Sequence, residues 1–162
     1  MHPLVRTERL DLEALSLEDA HALLNGQAQP DRSWVEGYPS EGTLVGASFV
    51  VTADRERRHL GPFRAYQIVR RADRAVIGDC GFLGAPDRSG AVYAAFGIAE
   101  SARNEGYGTE ALEGLIGYAF THDRVSCVRA ETARDNVPAQ RVMEKAGMAP
   151  VEERDDTLVY EA

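Results

Sequence analysis

The stretch Gly97-Ile-Ala-Glu-Ser-Ala-Arg-Asn-Glu-Gly-Tyr-Gly-Thr-Glu-Ala-Leu112 carries the residue types and spacing best suited to chemistry. An apolar run ends at Ile98, and a polar loop with glycines at 106 and 108 follows. Ala111, Leu112, Leu115, Ile116, Ala119 and Phe120 then recur at helical spacing. A strand, a glycine-bearing loop and a helix in that order aim several free backbone N–H groups at one point before the helix, where an anion such as phosphate or pyrophosphate is bound. Two glycines two residues apart also make an ordinary tight turn. There is no Gly-x-Gly-x-x-Gly and no Gly-Lys-Ser/Thr, so neither the dinucleotide fingerprint nor the Walker loop is present. Arg103 adds a cation at the start of the loop.

Two further groups stand out. Asn136 precedes a segment with Pro138 in its first turn, and Ala139, Val142, Met143 and Ala146 on one face. Asparagine there caps the helix, and its amide is also free to meet a ligand. Upstream, residues 27–42 hold Pro30, Gly37, Pro39 and Gly42, which predicts a loop, and that loop carries Trp34, Glu36 and Tyr38. Aromatic residues on a loop either line a pocket or pin the loop to the core.

The elements that must position these groups follow from periodicity. Leu10 and Leu12 predict a strand over 5–13, and Ser16 with Asp19 predicts a capped helix ending at Gly26. A second helix is expected over 43–56. Strands at 65–70, 75–83 and 92–98, joined by short turns, read as an antiparallel meander. The central helix, a strand over 125–132, the Asn136 helix, and a hairpin of 148–153 with 157–160 complete the chain. The order is β-α-α-β-β-β-α-β-α-β-β. A βαβ unit spans the glycine loop, so its two strands are parallel. The fold class is α/β (α+β), in one domain of 162 residues.

Composition excludes several functions. The net charge of −8 and a pI near 5.0 argue against a sequence-independent nucleic-acid binder. An anionic small ligand is still compatible, because local cations decide its binding, and an acidic surface suits a cationic acceptor. No apolar run approaches the ~20 residues of a membrane span, and the N-terminus lacks the apolar core of a signal peptide. Two isolated cysteines, Cys80 and Cys127, imply neither a disulfide framework nor a metal site. A cytoplasmic protein with reduced thiols is expected.

Arg103-x-x-Gly106-x-Gly108 followed by Thr109-Glu110-Ala111 resembles the acyl-CoA pyrophosphate loop of the GNAT N-acetyltransferases. The run from Ile98 to Ala111 and the opening Thr7-Glu-Arg-Leu-x-Leu12 resemble the RimJ/RimL-type branch. Asn136-x-x-Ala139 with Glu144-Lys145-Ala146-Gly147-Met148 is similar to that family's second signature. The resemblance covers nearly the whole chain. It implies the GNAT fold, a mixed and mostly antiparallel sheet with a central parallel βαβ unit flanked by helices. It implies acetyl-CoA as acetyl donor, with no metal, and a primary amine as acceptor, either a protein N-terminus or a small molecule.

Carried over residue by residue, the resemblance assigns the pantetheine arm to the backbone of Phe96, Gly97, Ile98 and Ala99. The pyrophosphate falls on Arg103, Asn104, Glu105, Gly106, Tyr107, Gly108 and Thr109. Asn136 would meet the pantetheine amides, and Arg141 the CoA phosphates. Trp34, Glu36 and Tyr38 would border the acceptor. Where many relatives have a glycine this chain has Asn104, a mild change because asparagine tolerates left-handed geometry. The family's proton-donating tyrosine and serine are replaced by Met143 and Ala139. Tyr93 and Glu131 are the candidates by placement for deprotonating the amine, although Tyr93 stands at a position that is acidic in many relatives. Glu36 and His59 are weaker alternatives. Direct attack in a ternary complex is expected, in a monomer or homodimer. A GNAT-fold module that holds acyl-CoA without turnover, and an unrelated nucleotide-binding protein, are the rival readings.

Overall fold

Described residues 3–162 of the computed structural model run β1 (Leu4–Arg6), β2 (Leu10–Ala14), α1 (Leu17–Leu24), β3 (Ser33–Trp34), α2 (Glu41–Arg55), β4 (Ala65–Arg70) and β5 (Ala75–Phe82). There follow β6 (Ala91–Ile98), a short 3-10 turn (Glu100–Ala102), α3 (Tyr107–Ala119), β7 (Cys127–Ala133), α4 (Val137–Lys145), β8 (Ala149–Arg154) and β9 (Thr157–Glu161). The strands form one sheet in the order β1-β2-β4-β5-β6-β7-β9-β8, with β3 paired to β5. The β6–β7 and β3–β5 pairs are parallel and all others antiparallel. The GNAT fold expected from the resemblance is thus present.

Most boundaries fall within two residues of the sequence reading, and three differences have a local reason. The expected strand over 5–13 is two strands, because the Thr7 N–H turns back to the Leu10 carbonyl at 2.9 Å. The loop expected over 27–42 contains β3, whose Ser33 and Trp34 lie in register with Ala75 and Val76. Helix α2 begins at Glu41, earlier than position 43, because Ser40 and Thr43 form a reciprocal capping box.

Alternation divides the sheet into two faces. On one, Leu10, Leu12, Tyr66, Ile68, Ile77, Val92, Ala94 and Val128 pack against Leu112, Leu115 and Ile116 of α3 and Met143 of α4. On the other, Val69 and Val76 pack against Leu15, Ala20 and Leu23 around α1, and against Tyr38, Ala47 and Val50 around α2. The arrangement is helix, sheet, helix, with the glycine loop at the sheet end where β6 passes into α3.

Candidate active site

The site begins with a break in the sheet. β6 and β7 pair only from Ala91 to Ala94 against Cys127 to Ala130. Beyond that point β6 stays with β5 as far as Ile98, and β7 stays with β9 as far as Ala133. The two parallel strands therefore part between Ala95–Ile98 and Glu131–Ala133. The β5–β6 ladder decides which backbone groups face the opening. The Ala99 N–H donates to the Ile77 carbonyl at 2.8 Å, and the Leu83 N–H to the Tyr93 carbonyl at 2.9 Å. By alternation Gly97 also bonds inward to β5, and Phe96 and Ile98 turn their amides toward the opening. Of the four residues assigned to pantetheine, only Phe96 and Ile98 thus offer backbone groups. Gly97 and Ala99 have theirs engaged by β5, although Gly97 keeps open space above its Cα.

At the mouth of the opening lies the loop from Arg103 to Thr109. Asn104 and Gly106 are left-handed, with φ of 65° and 80°. Such alternation turns successive N–H groups toward one point. Among the described residues no side chain caps α3. Among the described residues, the N–H groups of Asn104 to Thr109 find no hydrogen-bond acceptor, and the first bonded amide is that of Glu110, to the Gly106 carbonyl at 3.1 Å. The other three helices are capped, by Ser16, Ser40 and Asn136. Arg103 is exposed and donates its Nε to the Ile98 carbonyl at 2.9 Å. The Tyr107 side chain is buried, so only its N–H can serve a ligand.

The Thr7–Leu12 segment braces this loop. Arg9 donates Nη1 to the Glu105 carbonyl at 2.9 Å and Nε to Glu110 at 2.7 Å, and its guanidinium lies 4.3 Å from the centre of the Tyr107 ring. Thr7 Oγ1 and the Arg9 N–H also donate to Glu110. These bonds hold the Glu110 carboxyl below its usual range against the opposing effect of burial, the first cause acting on it. By sequence that segment reads only as part of a strand over 5–13. Its function as a brace depends on contacts about a hundred residues away.

Asn136 caps α4, its Oδ1 accepting the Ala139 N–H at 3.3 Å, and leaves its Nδ2 for other partners. Arg141 is exposed on α4. Met143 is buried in the core.

The face of the opening toward α1 and α2 holds the remaining candidates. Tyr93 stands opposite Arg129 in the β6–β7 register, and Glu131 lies two residues along the same face. Glu131 accepts from Arg154 Nη1 at 3.2 Å and is therefore already ion-paired. Glu36 is exposed and Trp34 half-buried. Tyr38, expected as an acceptor contact, is buried, and its hydroxyl donates to Asp79 Oδ1 at 2.9 Å. Its phenol is strongly raised by burial and then by the Asp79 charge, so it is a neutral donor. Asp79 itself was missed: a single acidic residue inside the apolar strand 75–83 was the only signal. Both thiols are pushed up by burial, and Cys80 is enclosed, so neither is an activated nucleophile.

Comparison with known proteins bears on the family and the fold. The chain is 29% identical over 152 residues to the uncharacterized N-acetyltransferase YjdG of Bacillus subtilis (strain 168), covering 89% of this chain and 88% of that one. Its fold is similar, at a TM-score of 0.68 and 17% identity over 99% of this chain and 98% of the other, to an acetyltransferase of Salmonella typhimurium that modifies the N-terminal serine of ribosomal protein L7/L12. It is similar at a TM-score of 0.70 and 16% identity to the RimL ribosomal L7/L12 alpha-N-protein acetyltransferase in complex with coenzyme A, over 99% of this chain and 97% of that one. At such identities the two structures share a fold with this chain. The sequence model of the acetyltransferase (GNAT) domain matches residues 9–149, and the chain accordingly belongs to the GNAT acetyltransferase family.

Proposed function

We propose that this protein is an N-acetyltransferase that moves the acetyl group of acetyl-CoA to a primary amine by direct attack in a ternary complex. The observation that carries the reading is the uncapped α3 terminus, whose free N–H groups stand behind a left-handed loop at the point where β6 and β7 part. That cradle fits a pyrophosphate, and the opening suits an amide-bearing arm running from it. Arg103, Asn104, Glu105, Gly106, Gly108 and Thr109, with the Tyr107 N–H, hold the phosphates, and Arg141 supplements their charge. Phe96, Ile98 and Asn136 meet the arm, and Trp34 and Glu36 border the acceptor. The donor supplies an activated thioester.

This chain's residues bring the amine to the thioester and take its proton. Positioning alone supplies much of the rate. The proton leaves toward Glu131 or Tyr93, directly or through water. With Met143 and Ala139 unable to donate a proton, departure of the thiolate relies on the low pKa of a thiol, about 8.5. A structural neighbour that acetylates a ribosomal protein N-terminus supports a protein α-amine among the acceptors. A small amine remains in the proposal alongside it, and the RimJ/RimL-like assignment rests on the same neighbours.

The test is titration calorimetry with acetyl-CoA, CoA and ATP, followed by thiol release over a panel of small amines and N-terminal peptides. Binding of acetyl-CoA and CoA but not ATP, turnover with at least one amine, intersecting double-reciprocal plots and no acetylated enzyme are expected. Binding without turnover across the panel would favour a non-catalytic acyl-CoA module, a reading that the missing proton donors at 139 and 143 keep open. Preference for ATP would overturn both.

A further inference from the structure

Asp79 is the one charged side chain of β5, and it points toward the loop before α2 and the first turn of α2. Its Oδ1 accepts the Tyr38 hydroxyl at 2.9 Å and its Oδ2 accepts the hydroxyl of Thr43, in the first turn of α2. Tyr38 in turn accepts from Gln67 Nε2 of β4 at 3.1 Å. The Gln67 Oε1 takes Gln29 Nε2 at 2.8 Å and Arg32 Nη1 at 3.0 Å. A continuous polar chain thus ties the loop before α2 to β4, β5 and the α2 terminus. An apolar filling would serve packing at lower cost, since a buried carboxylate must be desolvated.

The same loop reaches the opening at its other side. Ser101 Oγ donates to the Glu36 carbonyl at 2.6 Å, and a Cβ on Gly37 would rest 3.8 Å from Ala99 Cβ. Asp79 lies opposite Gly97 in the β5–β6 register, one strand from the part of β6 that borders the opening. The acceptor loop is therefore fixed at its base by Asp79 and abuts the candidate thioester site at its tip.

We propose that Asp79 is a positioning residue for the acceptor: ionised, it holds Tyr38 and so locks the Trp34–Pro39 loop against the end of β6. The inference rests on the acetyltransfer reading for what the loop borders, and on the hydrogen bonds alone for the lock. The groups around the carboxylate are Tyr38 from the loop, Thr43 and Ser40 from α2, Gln67 from β4 with Arg32 behind it, the Gly97 backbone from β6, and Cys80 on the far face. Arg32 is the formal charge among them, and it is paired with Glu13 and Asp31. Burial raises the Asp79 carboxyl to about 6 against the lowering effect of its two hydroxyl donors. Hydrogen bonds to an ionised acceptor are roughly twice as strong as neutral ones, so protonation slackens the lock.

Trp34 is the sole tryptophan, and its ring stands edge-on to Tyr38 at 5.9 Å. Its fluorescence therefore reads the loop in the free protein, with no substrate present. Wild type should show an emission inflection near pH 6 that is lost in Asp79→Asn and in Tyr38→Phe. At pH 7.5 both variants should raise the acceptor KM at least tenfold, with kcat at saturating acceptor within threefold and the acetyl-CoA KM within twofold. An Asp79→Asn protein with wild-type circular dichroism that keeps the inflection would overturn the lock. An equal rise in both KM values would overturn the role toward the acceptor. If Asp79→Asn does not fold, Thr43→Val removes one of the two bonds to the carboxylate and is read in the same way. Loss of the inflection in a protein that transfers no acetyl group would leave the lock standing and remove the acetyltransfer reading instead.

Discussion

Asp79 illustrates the conflict between stability and use at the scale of one residue. Its carboxyl is raised from the usual 3.8 to about 6, first by burial. A raised acid pKa means that the folded state binds the proton more tightly than the unfolded chain. The contribution is therefore fully present below pH 4 and is lost as the pH rises through 6. About two pKa units correspond to about 3 kcal/mol. Exposed carboxylates such as Asp31 and Asp73 are lowered by their arginine partners and work in the opposite direction. Comparing wild type with Asp79→Asn isolates the one group. Urea unfolding at pH 4 and pH 7 should show the variant gaining relative to wild type by up to ~3 kcal/mol at the higher pH. An identical difference at both pH values would refute the assignment.

At the scale of elements, α3 is set apart by how it starts. Helices α1, α2 and α4 satisfy their first amides with Ser16, Ser40 and Asn136. The start of α3 has no such cap among the described residues, and Arg9 and Glu110 brace it from the side. Gly106 needs its left-handed φ of 80°, which a β-branched residue resists, and its missing side chain leaves the approach clear. Gly106→Val should weaken acetyl-CoA binding tenfold or more, about 1.4 kcal/mol, in a protein that remains folded. Calorimetry at unchanged circular dichroism checks this, and undiminished affinity would move the phosphate site elsewhere.

For the whole molecule, one core joins both halves of the chain. Leu10 and Leu12 from the N-terminal strands, Leu112 and Leu115 from α3, and Tyr160 from the last strand meet in a single cluster. Local unfolding of the C-terminal half alone is therefore disfavoured. Leu112, fully buried between α3 and the sheet, is a suitable probe. Leu112→Ala should cost about 2–5 kcal/mol. The denaturation should remain one transition, coincident by Trp34 fluorescence and by circular dichroism. Separate midpoints would show that the α1–α2 layer unfolds independently.

The parts determined by sequence alone are those governed by local rules. Strand–loop–helix order, the capping role of Asn136, the left-handed tolerance of Asn104 and the parallel βαβ unit all follow from neighbours a few residues apart. The family was legible for the same reason, since its phosphate loop is one continuous segment. Tertiary structure decided what depends on partners distant in sequence. The parting of β6 and β7 is a matter of which strand each follows, β5 or β9. Alternation across the β5 ladder, rather than residue type, selected Phe96 and Ile98 as the backbone groups facing the opening. Tyr38 became a buried donor, and not an exposed contact, because Asp79 and Gln67 lie beneath it, 41 and 29 residues along the chain. Periodicity registers that a strand is apolar. It does not register which loop will fold over the one carboxylate in it, because desolvation and hydrogen bonding act through space.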